Sequence, residues 1–231
     1  MCGRMAIGRA AGDLVAALDI PAQSGEAIAT SYNVAPTSSV PIVLRDAKLP
    51  DAPLSLVHGR WGLIPAWSKQ VSGPPLINAR AETVTVKPTF KSAARRRRGL
   101  VPADGYYEWQ SGPAGKQPYY LNNPETGLFF AAIYDFWRPL TPAGEERAQW
   151  SMSLAVLTTT ATDTLGHIHD RSPVIVPSDR VEEWLDPTLE ASLDVEGFLA
   201  SLPEPRLTAN AVSTRVNSVK NDGPELIAPV T

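Results

Sequence analysis

Prolines and glycines interrupt this chain so often that it cannot be assembled from long helices. Twenty-two prolines and 16 glycines are spread over 231 residues. Each proline removes a backbone donor, and each glycine weakens a helix interior. The apolar runs between them are short, a pattern that predicts many strands joined by turns. Residues 41–45, 54–62, 99–110, 117–122, 127–137, 151–159 and 172–177 read as strands, the third of them interrupted by Pro102 and Gly105. Helical patterns are fewer, at 9–20, at 89–98 behind Pro88, and at 194–202; residues 67–75 and 138–149 read as surface loops. No internal repeat, low-complexity linker or break in composition divides the chain. The expected fold is α+β, a single domain over 1–231 dominated by antiparallel β-strands with peripheral helices.

The remaining composition narrows the setting. An apolar fraction of 43% with six tryptophans supplies a substantial core. One cysteine cannot form an internal disulfide, so the chain suits a reducing compartment. The first thirty residues carry Asp13, Asp19 and Glu26 where a signal peptide needs a continuous apolar region. No stretch reaches the roughly 18 apolar residues of a membrane span. The expectation is a cytoplasmic protein with no membrane contact, nucleoid-associated if the source is bacterial. A net charge of -3 and pI near 5.7 argue against a non-specific coat for nucleic acid. They leave room for a local basic groove, and basic residues do concentrate between Arg80 and Arg98.

Four groups of residues carry chemical possibilities. The only cysteine is Cys2, directly behind the initiator methionine. A lone cysteine is commonly a small buried hydrophobe. At position 2, however, loss of Met1 would leave an α-amine of pKa about 7.7–8.0 beside the thiol. Such an aminothiol condenses with an aldehyde to an imine and closes a thiazolidine ring. In 76–83, an extended Asn78–Arg80 would place amide and guanidinium on one face, suited to a phosphate or carboxylate, unless Glu82 simply pairs with the arginine. In 101–110, alternation puts Tyr106 and Glu108 on one face and Tyr107 and Trp109 on the other. A carboxylate among aromatics is desolvated and suited to proton transfer, or else pairs with a nearby arginine. In 165–176, His169 followed by Asp170 and Arg171 fits acid–base work beside an anion-binding arginine, or a solvated turn. His167 and His169 lack further ligands for zinc, so no metal and no cofactor is expected.

Taken together, MCGR (1–4), YNVAPT (32–37), RWGLIPAW (60–67), NARAET (78–83), LVPADGYYEW (100–109), KQPYY (116–120), IHDRSPVIV (168–176) and VNSVKNDGPELI (216–227) resemble the SOS-response-associated peptidase (SRAP) family, in order along nearly the whole chain. The sequence departs from the family pattern at Ser172, where Met is expected, and at Gly99, where Cys is expected; both look like packing positions. The resemblance implies a barrel-like sheet. It further implies a monomer that senses and shields abasic sites in single-stranded DNA through a covalent thiazolidine cross-link at Cys2, once Met1 is removed. By position, the family's catalytic residues fall on Cys2, Asn78, Glu108 and His169. On this reading Glu108 moves protons at the amine, His169 helps open the sugar, and Asn78 positions the terminus. Arg4, Arg80 and Arg171 would hold phosphates. Of the two tryptophans in RWGLIPAW, Trp61 reads as core, while Trp67 is a candidate to stack on an unpaired base. The run Arg95–Arg98 reads as a solvated helix face outside the site. Two further readings stay open: an N-terminal-nucleophile cysteine peptidase, whose activity might extend only to removing Met1, and a non-catalytic binding module.

Overall fold

The computed structural model describes residues 2–18, 20, 28–46, 52–113, 115–139, 148–161 and 167–230. Strands dominate it. In chain order they are β1 (Met5–Ile7), β2 (Ser31–Val34), β3 (Ser39–Leu44), β4 (Ser55–Trp61), β5 (Asn78–Arg80), β6 (Arg98–Ala103), β7 (Gly105–Gly112), β8 (Gly115–Asn122), β9 (Leu128–Trp137), β10 (Ser151–Thr160), β11 (Arg171–Pro173) and β12 (Thr208–Ala211). The helices are α1 (Arg9–Ala16), α2 (Lys91–Arg96), α3 (Val181–Leu185) and α4 (Ser192–Ala200).

One sheet closes on itself. Its strands run β10-β4-β3-β6-β9 and return to β10, with β5 and β11 added along the C-terminal half of β10. The β10–β4 and β10–β5 contacts are parallel and the other pairings of this sheet antiparallel. The second sheet, β12-β8-β7-β1-β2, is antiparallel throughout. A strand presents alternate residues to opposite faces, and β9 uses both. Phe129, Ala131 and Ile133 pack into a core shared with Ala94, Trp184 and Phe198 of the helices. Phe130, Ala132 and Tyr134 pack into a second core with Met5, Tyr106 and Leu121 of the other sheet. Burial on both faces explains why 127–137 reads as an unbroken apolar run.

The stretch 99–110 is two strands in two sheets. The chain changes sheets at Asp104, whose Oδ1 accepts the N–H groups of Gly8 and Ala11 at 2.9 Å and so caps the start of α1. Gly105 follows because nothing larger fits: a Cβ there would lie 2.5 Å from the Leu121 carbonyl oxygen and 2.6 Å from the Tyr120 ring. Gly105→Ala is therefore expected to cost about 1–3 kcal/mol, as overpacking of a tight core does, read as a lower urea midpoint with an unchanged slope. Gly99 faces Ile42, whose Cδ1 would stand 2.5 Å from an added Cβ. The bulk of Ile42 thus occupies the space that a side chain at 99 would need. Ser172 is 6% exposed, a packing position as well.

Other expectations need correction. The helix read at 89–98 ends at Arg96, and Arg98 begins β6. Nor is the arginine run a uniformly solvated face. Arg98 is 5% exposed and donates to the carbonyls of Ala94, Arg95, Trp184 and Asp186. Burial lowers its pKa to about 10. Arg97 pairs with Asp135 at 3.2 Å and Arg96 with Glu190 at 3.6 Å. The strand at 172–177 is shorter, continuing past β11 only as a bridge between Phe130 and Ile175. Residues 67–75 form no helix or strand, as expected; of 138–149, residues 140–147 lie outside the described residues. β1, β2, β12 and α3 span too few residues for periodicity to register. Among the described residues, no helix is long and apolar enough to cross a membrane.

Candidate active site at the N-terminus

Position along β1 brings the N-terminus to the middle of the second sheet. Met5 pairs with Tyr106 of β7, and the Tyr107 N–H donates to the Arg4 carbonyl at 2.9 Å. Continuing that antiparallel register runs residues 2–4 beside 107–109, and Cys2 comes to lie near Glu108. Cys2 is fully buried, packed in the same core as Met5, Trp61 and Tyr106. Burial first, and then the negative charge of Glu108, raise its thiol pKa well above the ordinary value.

Asn78 and Arg80 share one face of β5 while Ala79, between them, is buried. That strand exists because it lies parallel to β10, in the register Val156↔Asn78 and Thr158↔Arg80. Asn78 Nδ2 donates to the Cys2 carbonyl at 2.8 Å, fixing the terminal residue directly. Its Oδ1 is buried and has no hydrogen-bond partner among the described residues. A buried acceptor of this kind suits an N–H arriving at the terminus.

Glu108 is only 3% exposed. Burial raises its carboxyl pKa. Glu108 and His169 line one open cleft of about 420 Å³ together with Trp109, Lys116 and Asn217. His169 Nδ1 accepts the Arg171 N–H at 3.0 Å and lies 2.8 Å from Asp170 Oδ1. Asn78 thus holds Cys2, Glu108 lies close enough to act on the Cys2 thiol, and His169 shares a cleft with Glu108, four residues from four separate parts of the sequence.

The other predicted site residues are placed differently from one another. Arg4 is turned inward: its guanidinium donates to Asn33 Oδ1 at 2.5 Å and to the Val216 carbonyl at 2.8 Å, and lies 5.9 Å from the Trp109 ring centroid. Arg171 makes a bidentate pair with Glu82 at 2.7 and 2.9 Å. Glu82 therefore pairs with Arg171 and not with Arg80, which is exposed and has no ion pair among the described residues. Trp61 is core, donating through Nε1 to the Ile77 carbonyl at 3.0 Å. Trp67 is 69% exposed, on a second cleft formed by 60–76 with Thr89. Among the described residues, no group of three His, Cys, Asp or Glu side chains could hold a metal ion.

Several residues at the site were not singled out by sequence reasoning. Asn33, 6% exposed, joins Arg4 to the C-terminal segment by donating to the carbonyls of Ser218 at 2.9 Å and Asn221 at 2.7 Å. Trp109 Nε1 donates to Asn217 Oδ1 at 2.7 Å, which brings that segment to the cleft wall. Lys116 supplies an exposed cation to the cleft. Asn33, Lys116 and Asn217 all sit inside the motifs that carry the resemblance, but no local pattern marks their chemistry.

The family described as SOS response associated peptidase (SRAP) matches residues 1–219. The abasic site processing protein YoqW of Bacillus subtilis is 34% identical over 232 residues, covering 98% of this chain and 99% of that one. The abasic site processing protein YedK of Escherichia coli is 34% identical over 239 residues, covering 100% of both. Among solved structures, a protein from Bacteroides thetaiotaomicron has a TM-score of 0.77 at 22% identity, over 100% of both chains, which shows a shared fold.

Proposed function

This chain belongs to the SRAP family, and from that membership we propose that it processes abasic sites in DNA, acting as a monomer on single strands by covalent capture at Cys2. The observation that carries this reading is the Cys2 carbonyl held by Asn78 while Glu108 approaches the same residue.

The chemistry follows from those neighbours once Met1 is gone. The α-amine of Cys2 adds to the C1′ aldehyde of the ring-opened sugar, giving a carbinolamine. Glu108 is suited to protonate the departing hydroxyl, since burial keeps its proton available at higher pH than an exposed carboxyl would. Water leaves and an imine forms. The thiol then adds across the C=N bond, its proton passing by way of Glu108 to the ring nitrogen, and the thiazolidine closes. One molecule of water is lost overall. Because the thiol pKa is raised, the amine acts first. The same fact weighs against a peptidase working through a resting Cys2 thiolate. On this reading His169, which lines the cleft, protonates the sugar ring oxygen as an imidazolium during opening. Arg80 and Lys116 supply cations for phosphates, and Trp67 a face for an unpaired base, a contact worth about 1–3 kcal/mol. Arg4 and Arg171 reach a phosphate only by leaving internal partners.

The test is a denaturing gel of Met1-processed protein with single-stranded DNA carrying one abasic site. A band that survives heat and detergent is expected only with that strand and not with Cys2→Ala. A band with Cys2→Ala, or none with the wild type, would remove covalent capture at Cys2.

A further inference from the structure

Building on that reading, we propose that Glu82 is a positioning residue for His169, acting through Arg171. The two sides of the site meet at the end of β10. Thr158 faces Arg80 of β5 on one side and Pro173 of β11 on the other, so these short strands flank β10. Glu82 lies just beyond β5, and Arg171 is the first residue of β11. Their bidentate pair spans the strand between them. Arg171 Nη2 also donates to the Thr158 carbonyl at 2.6 Å, and Nη1 lies 3.5 Å from Thr160 Oγ1. Arg171 is therefore fixed at its head by Glu82 and by β10, with its side chain only 12% exposed.

What the clamp fixes is a backbone N–H. That of Arg171 donates to His169 Nδ1 at 3.0 Å. An imidazole nitrogen accepting a hydrogen bond carries no proton, so this bond selects the neutral ring protonated at Nε2. The competing partner of Nδ1 is Asp170 Oδ1 at 2.8 Å, which accepts only when Nδ1 is protonated. Asp170 is 85% exposed, so solvent weakens its hold. Fixing Arg171 tips the neutral ring toward the Nε2–H form, which presents a hydrogen-bond donor at the far nitrogen.

Long-range ¹H–¹⁵N NMR of the imidazole rings, on Met1-processed protein without DNA at a pH where His169 is neutral, reads the tautomer directly. His58→Gln and His167→Gln variants assign the signals. In the wild type, His169 Nδ1 should be unprotonated and Nε2 protonated. Glu82→Gln and Arg171→Lys should both give a mixture of tautomers in a folded protein, with Glu82→Asp available should the glutamine variant fold poorly. The single-turnover rate of adduct formation should fall about 10- to 100-fold in Glu82→Gln, as a misplaced hydrogen-bond donor to the sugar does, with DNA affinity unchanged. The proposal is overturned if wild-type His169 carries its proton on Nδ1, or if Glu82→Gln leaves the tautomer as it was. The tautomer is measured without DNA, so failure of covalent capture leaves this result interpretable by itself.

Discussion

A protein with one alanine inserted between Met1 and Cys2 is expected to form no thiazolidine with abasic single-stranded DNA, although it keeps its thiol and its cleft. After Met1 is removed, the free amine belongs to the alanine and the sulfur to the next residue. The five-membered ring requires both groups on one carbon skeleton. Intramolecular closures of this kind carry effective molarities of about 10⁵ M or more, an advantage that the insertion removes entirely. Asn78, which grips the Cys2 carbonyl, would at the same time hold a residue that no longer bears the amine. Mass spectrometry establishes the terminus, and the heat-stable band reports the outcome. Undiminished thiazolidine formation by the extended protein would show that the amine and thiol of one residue are not the reacting pair.

Replacing the buried carboxylate should separate activity from stability. Glu108→Gln keeps the shape of the side chain and removes its proton-transfer capacity, so adduct formation should slow by about 10²–10⁴, the usual contribution of general acid–base catalysis. Stability should move the other way. The folded pKa of Glu108 is raised, chiefly by burial. Between the unfolded pKa of about 4.3 and that raised value, the folded state binds more protons than the unfolded state. Wild-type stability therefore falls as pH rises through this window and levels off above it. The glutamine variant lacks that fall, so its advantage should grow with pH across the window and persist at neutrality. Urea midpoints of both proteins across the acid range test this. A variant that loses stability relative to the wild type as pH rises would show that Glu108 is stabilised as a carboxylate by partners stronger than its desolvation. A buried charge kept at a cost in stability is what an active site is expected to contain.

The chemistry-bearing residues were legible because their types are informative where they stand. Cys2 drew notice by position alone, and Asn78–Arg80 by the strand alternation that β5 displays. Tyr106 and Glu108 do share a face of β7: Tyr106 packs in the core with Cys2, while Tyr107 packs in a separate cluster. The long strands β9 and β10 were readable because burial on both faces demands unbroken apolar runs. The interruption expected at Gly105 within 99–110 is a real boundary between β6 and β7. That the chain changes sheets there is visible only in the capping of α1 by Asp104 and the close approach of Leu121 to Gly105.

Partner choice was not legible at all. Glu82 stands two residues from Arg80, and sequence proximity favours that pair. In the fold the carboxylate reaches across the end of β10 to Arg171, 89 residues away. Arg4, expected to hold a phosphate, also donates to Asn33 and to the Val216 carbonyl, partners that no local pattern announces. Arg98 closes a charge run yet is buried against four carbonyls. By itself, then, the sequence determined the strand-rich class, the aminothiol chemistry open to Cys2 and the residues able to serve it, because composition, periodicity and side-chain type are local properties. Tertiary structure alone decided which arginines have internal partners, which carboxylate Arg171 pairs with and which N–H His169 Nδ1 accepts, because charge pairing and burial depend on what long-range strand pairing brings within a few ångströms.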